Sequence, residues 1–199
     1  MKKQPKDADM ERLIRKRIEE SIKAKEELLD SQLGNIELAA RTLIKSLKGG
    51  KKVLVFGNGG SAADSQHIAA ELVGRFKKER RPLRAVALTT NTSTMTALAN
   101  DYGYETTFAR QVEALGDRGD VAMAISTSGK SANVVAAVKR AKSLGLRTIG
   151  LLGGDGGILK TACDISIIVS GRDTARIQEA HITIGHILCE LIEDQLCKR

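Results

Sequence analysis

Two pairs of side chains at helical spacing carry the types needed for acid–base or metal chemistry. His67 and Glu71, in "SAADSQHIAAELVGRF", are four residues apart, so a helix sets them on one face, on neighbouring turns, within reach of one metal or one substrate atom. Gln178 and His186 lie in "TARIQEAHITIGHILCELIE", with His181 between them and apolar residues around His186. Taken alone, the first pair is an ordinary solvated surface pair and the second histidine an ordinary satisfied core residue. Taken together, they offer nitrogen and oxygen donors from two helices, enough for a tetrahedral metal site or for a carboxylate and an imidazole working on one substrate.

Two glycine-containing turns supply a place for an anion. Gly57-Asn58-Gly59-Gly60-Ser61 follows a β-like run and opens a helix, which aims backbone N–H groups and the positive end of the helix dipole into the turn. The stretch Gly57-x-Gly59-x-x-Ala62 satisfies the relaxed dinucleotide fingerprint, but the acidic residue expected after the next strand is replaced by "LTTNTS", Leu88 to Ser93, which disfavours a nicotinamide oxidoreductase. In "ISTSGKSANV", Ser126, Thr127, Ser128 and Ser131 crowd hydroxyls around Gly129 at a second strand-to-helix turn. Hydroxyls and amides in that density can wrap a phosphate monoester without a Walker lysine; Ser131 by itself reads as a helix N-cap.

The elements that must position these residues alternate in type. Lys52–Phe56, Arg84–Leu88, Asp120–Ile125, Arg147–Leu152 and Asp164–Val169 read as five strands buried on both faces. Helices are expected over Ser61–Arg75, Thr92–Asn100, Tyr104–Leu115, Ser131–Leu144 and Thr174–Cys197. The pattern predicts an α/β fold, a three-layer sandwich with a five-stranded parallel sheet, and places chemistry in the loops after Phe56, Leu88, Ile125 and Val169, beyond the carboxyl ends of the strands. Before it come two amphipathic helices, Met10–Asp30 and Gln32–Leu47, read as a helical hairpin within residues 1–50, with 51–199 forming the core of a single domain. The first carries Ile14, Ile18, Ile22 and Leu29 as an apolar stripe that a second subunit would cover.

Composition narrows the function. The 199 residues carry a net charge of +8, spread over the amino-terminal lysines, "KKERR" at Lys77–Arg81, and Lys198 and Arg199; with aromatics at 3% and no Trp, this reads as a solvated basic surface and not a nucleic-acid site. Cys163, Cys189 and Cys197 form no C-x-x-C pair and suit a reducing cytoplasm, and no apolar run is long enough to span a membrane.

"GNGGSAADSQHIAAELVGRF", "NDYGYE", "ISTSGKSANV", "GGDGG" and "TARIQEAHITIGHILCELIE" together resemble the phosphoheptose isomerases of the sugar isomerase (SIS) family, over nearly the whole chain. The serine-rich loop specifies only a phosphosugar site; His-x-x-x-Glu and Gln-x7-His single out this branch. The resemblance implies the SIS fold, a homotetramer whose sites are lined by more than one subunit, and conversion of D-sedoheptulose 7-phosphate to D-glycero-D-manno-heptose 7-phosphate, the step that opens nucleotide-activated heptose synthesis for lipopolysaccharide or other surface glycans. It further implies that Asn58, Gly59, Gly60, Ser61, Glu71, Thr90, Asn91, Ser126, Thr127, Ser128, Ser131 and Gln178 hold substrate, that zinc, one per subunit, binds His67, Glu71, Gln178 and His186, and that Glu71 and His186 form the acid–base pair. The resembling enzymes commonly carry Asp where this chain has Asn91, so weakened substrate contact is expected there. The rival is a non-catalytic SIS protein binding a phosphosugar or a partner, like the replication initiator-associating proteins; the presence of both Glu71 and His186 favours the enzyme.

Overall fold

Alternate residues of five short apolar runs point to opposite sides, and that period of two divides the core. The computed structural model describes residues 7–197, so the basic residues Lys2, Lys3, Lys6, Lys198 and Arg199 lie outside the described part. The strands are β1 (Val53–Gly57), β2 (Ala85–Ala87), β3 (Val121–Ser126), β4 (Arg147–Gly153) and β5 (Ile165–Val169), all parallel, in the order β2-β1-β3-β4-β5. Val53, Val55, Met123, Ile149, Leu151 and Ile167 face a layer made by α2 (Leu33–Lys48), α3 (Gly60–Val73) and α8 (Thr174–Leu196). Leu54, Phe56, Ala122, Ala124 and Leu152 face the opposite layer, with α5 (Thr107–Leu115) and α6 (Ala132–Ser143). The three-layer sandwich read from the alternation of elements is the observed architecture.

Three details differ from the sequence reading. Burial on both faces holds for β1 and β3 but not at the edges: β2 is only three residues long, with Val86 exposed, and β5 alternates buried and half-buried. The stretch from Tyr104 begins as one turn of 3-10 helix, Tyr104–Thr106, after α4 (Thr92–Tyr102), and a short α7 (Leu159–Ala162) precedes β5. The amino-terminal helical pair is α1 (Asp7–Ser31) and α2, joined at the single residue Gln32 without a loop: its N–H donates to Leu28 O at 2.9 Å and its carbonyl accepts from Ile36 N–H at 2.9 Å. The Gln32 side chain accepts from the N–H of Ile168 at 3.1 Å, so the joint also occupies part of the open edge of β5.

Cys163 and Cys189 are buried and free, and burial, first among the causes, pushes both thiols up to about 12, so neither is a nucleophile at neutral pH. Among the described residues no helix is long and apolar enough to cross a membrane. His181 is the buried core histidine of α8: it is fully buried, its Nε2 lies 3.0 Å from Leu152 O while its Nδ1 has no hydrogen-bond partner, and burial lowers its pKa from 6.5 to about 4.

That shift makes stability depend on pH. The folded value lies below the unfolded one, so between pH 6.5 and about 4 the unfolded chain holds a proton that the folded chain does not, and stability falls as pH falls through that window. About 3 kcal/mol should be lost across it. Urea unfolding at a series of pH values should show this slope in the wild type and a flatter one in His181→Gln.

Candidate active site

Glycine lets the first turn approach its neighbours. Gly59, at φ 56°, is the N-cap of α3, and a Cβ on Gly60 would lie 2.5 Å from Gln178 Nε2, so the Gln178 amide rests on the first residue of the helix. Ser61 is not the cap; it is buried inside the first turn, its carbonyl accepting from Ser65 Oγ at 2.7 Å. Asn58 is tied across to the second loop: its Nδ2 donates to Asn133 Oδ1 at 2.8 Å, Asn133 Nδ2 donates back at 2.9 Å, and Tyr104 OH donates to Asn58 Oδ1 at 3.0 Å. Asn133 and Tyr104 were not among the expected site residues. The available signal was a polar residue in the otherwise aliphatic "SANVVAAV" and a tyrosine in "NDYGYE".

The serine-rich loop is held from behind. Gly129, at φ 64°, packs so closely on the "GGDGG" segment that a Cβ there would fall 2.0 Å from Gly156 O, and Leu159 N–H donates to Gly129 O at 3.1 Å. Ser126 Oγ accepts from Gly129 N–H at 3.1 Å and lies 3.3 Å from Ser131 Oγ. Ser131 occupies the N-cap position of α6, yet its side chain makes no cap bond; its hydroxyl turns toward Ser126, so the capping role read from the sequence is not the one it plays. Ser128 Oγ accepts from Lys130 N–H at 3.2 Å. A cavity of about 670 Å³ opens beside the loop, lined by Thr127, Ser128, Lys130, Arg172 and Thr174 among others, a volume in the range of small-ligand sites.

Two turns further along α3 the reactive groups gather. His67 Nε2 is 2.8 Å from His186 Nε2, and 3.4 Å from Glu71 Oε1. The helices α3 and α8 therefore bring His67, Glu71 and His186 together. Gln178 stays with Gly60, eight residues or about 12 Å back along α8, so within one chain it does not join them. Asp64, one turn before His67, also faces this group: burial raises its pKa, the two imidazoles partly offset that, and its Oδ2 is buried without a hydrogen-bond partner. The donor types, an imidazole nitrogen of His186 and a carboxylate oxygen of Glu71 each close to His67 Nε2, fit zinc, although among the described residues no three His, Cys, Asp or Glu side chains are already closed around a common ion position.

Thr90 and Asn91 form the turn after β2: Thr90 Oγ1 donates to Ala87 O at 3.2 Å, and Asn91 is the N-cap of α4, its Oδ1 accepting from Thr94 N–H at 2.9 Å. An Asp would cap as well as Asn does. The "KKERR" segment is not simply a solvated surface. Lys77 and Lys78 pair with Glu190 and Asp194, and Arg80 is buried against Glu193, so carboxylates of α8 neutralise much of it.

Comparison with known proteins follows the same lines. Residues 18–153 match the SIS domain family. The phosphoheptose isomerase of Aquifex aeolicus (strain VF5) is 54% identical over 186 residues, covering 94% of this chain and 97% of that protein. The phosphoheptose isomerase of Clostridium acetobutylicum is 53% identical over 189 residues, covering 94% and 96%. The solved structure of phosphoheptose isomerase GmhA from Neisseria gonorrhoeae superposes with a TM-score of 0.88 at 43% identity, over 93% of this chain and 99% of that one.

Proposed function

Since the chain belongs to the phosphoheptose isomerases of the SIS domain family, we propose that it converts D-sedoheptulose 7-phosphate to D-glycero-D-manno-heptose 7-phosphate through an enediolate. The observation that carries this reading is the convergence of Glu71 and His186 on His67 Nε2, on the same two helices whose amino-terminal ends carry Gly60 and Gln178.

The phosphate ester would sit against the amides of Gly59 and Gly60 and the hydroxyls of Ser126, Thr127, Ser128 and Ser131, where hydrogen-bond donors and helix dipoles favour an anion. Thr90 and Asn91, at the turn after β2, would contact the sugar beside the ester, with the Asn91 contact weakened for want of a charge. With the ester anchored there, Glu71 removes the proton from C1 and the electron pair moves to the C2 carbonyl oxygen. His186 carries a proton between the two sugar oxygens, and the proton held by Glu71 returns to C2, leaving the aldehyde at C1. His67, Glu71 and His186 would hold one zinc ion per subunit, which when bound supplies positive charge for the negative charge developing on the sugar oxygens. Gln178, beside Gly60, is assigned to substrate.

The assembly is a homotetramer in this reading. Ile14, Ile18 and Ile22 remain half or more exposed on α1, a stripe that a second copy of the chain would bury. Three cysteines without a disulfide suit the reducing cytoplasm.

Purified protein should turn over sedoheptulose 7-phosphate, and Glu71→Gln and His186→Ala should each lose about 10²–10⁴ in kcat while keeping the wild-type circular dichroism. Absence of product under zinc-replete conditions would instead favour a phosphosugar-binding protein. Elemental analysis after chelator-free purification should find about one zinc per subunit, lost in His67→Ala. In sedimentation velocity, Ile14→Glu combined with Ile18→Glu should convert the tetramer into smaller species.

A further inference from the structure

An ion pair buried behind the reactive cluster has no part in the mechanism so far. Glu193 on α8 and Arg80 in the segment after α3 have side chains 1% and 4% exposed, with Arg80 Nε 2.9 Å from Glu193 Oε1. Every oxygen of the carboxylate is used: Oε1 also accepts from Phe76 N–H at 2.8 Å, and Oε2 accepts from Lys77 N–H at 2.8 Å and Lys78 N–H at 3.0 Å. Burial alone would raise this carboxyl's pKa, but the three backbone donors and the guanidinium hold it below its usual value, so it stays ionised.

The guanidinium serves the catalytic helix directly. Its Nη2 donates to Glu71 O at 2.7 Å, and its Nη1 donates to Leu72 O and Gly74 O, both at 2.9 Å. These are the carbonyls left without intrahelical partners at the end of α3, where a cation also matches the helix dipole. Between the two charges runs the turn that presents Phe76, whose ring stacks on His186 at 5.3 Å between centroids and 22° between planes. One pair therefore touches the backbone of Glu71 and, through one intervening residue, the ring of His186. Apolar residues of similar volume could stabilise the junction as well as an ion pair does; what the fully bonded pair adds is a single geometry.

We propose that Arg80 and Glu193, acting through Phe76, are positioning residues for the isomerisation: they fix the end of α3 that carries Glu71 and hold the Phe76 ring as the wall that sets the plane of His186. The proposal rests on His186 working in the reaction, so His186→Ala is assayed beside the other variants.

Phe76 is only half-buried, so Phe76→Leu should fold, and its kcat for sedoheptulose 7-phosphate should fall about tenfold with KM within about twofold, since what it loses is orientation and not substrate contact. Phe76→Tyr, which keeps the ring, should restore kcat to within about twofold of wild type. Arg80→Lys keeps the charge but not the fork that reaches Glu71 O and Gly74 O, and should lower kcat by a similar factor in the folded protein. The 15N resonances of His186 should shift in both impaired variants. Wild-type kcat in folded Phe76→Leu, or a change confined to KM or to the folded fraction, would overturn the proposal, and this variant decides the matter if Arg80→Lys does not fold. A fully active His186→Ala would overturn the catalytic reading itself, whereas an inactive His186→Ala beside a fully active Phe76→Leu would overturn only the positioning role.

Discussion

The close parallel packing of α3 on α8 is the constraint on which the rest of the site depends. Gly60 lies under Gln178, His67 meets His186, and Ile68 covers Gly185, so the two helices advance together in the same direction. A Cβ on Gly185 would fall 2.8 Å from Ile68 Cδ1. Glycine inside a helix costs about 1 kcal/mol relative to alanine. Here it permits an approach at which two imidazoles on different helices share a 2.8 Å contact. Wider helix separation would leave His67 and Glu71 as the solvated surface pair that their spacing alone suggests.

Polar groups at the ends of these helices are matched in a way that separates the site from a dinucleotide fold. In both cases a glycine turn leads from a parallel strand into a helix. Here Asn58 is held by Asn133 and Tyr104, and Gly129 is pressed on Gly156, so the first and third strand-ends are locked to each other through side-chain amides and the third and fourth through backbone. A carboxylate for a ribose is missing at the second strand-end, where Asn91 caps α4. The two turns thus form one cradle of amides and hydroxyls suited to a small phosphate ester.

The alternation of short apolar runs with helical stretches made the sandwich readable. Which residues of "KVLVF", "DVAMAI" and "RTIGLL" face which helical layer is settled by the structure, where side-chain direction along each strand follows parity. The edge strands were less legible: whether Val86 has a neighbour is decided by strand order, which local pattern does not encode. The reactive residues were legible as types, and the spacing of His67 and Glu71 placed both on one helical face. The position of Gln178 was not, because it depends on how far α8 slides along α3. "KKERR" looked like solvated charge because the partners of Lys77, Lys78 and Arg80 stand 113 to 116 residues later in the chain. Ser131 fitted an N-cap by type, and only the three-dimensional loop shows its hydroxyl turned to Ser126.

The division of labour between loops and helices bears on selectivity. In the proposed reading, loop amides and hydroxyls would grip a phosphate whatever sugar it carries, since they would touch only the ester oxygens. Helix faces would hold the proposed proton-transferring groups at a fixed remove: along α3, Gly60 and His67 are seven residues apart, about 10 Å of rise. An ester gripped at the first turn would therefore have to extend about two turns before its carbonyl carbons reach the cluster around His67 Nε2. A shorter sugar phosphate could bind as tightly and still leave its carbonyl short of the base, which would appear as unchanged binding with lost turnover. Selection by length in this reading would reside in the rigid helix spacing and not in the loop that would hold the ester.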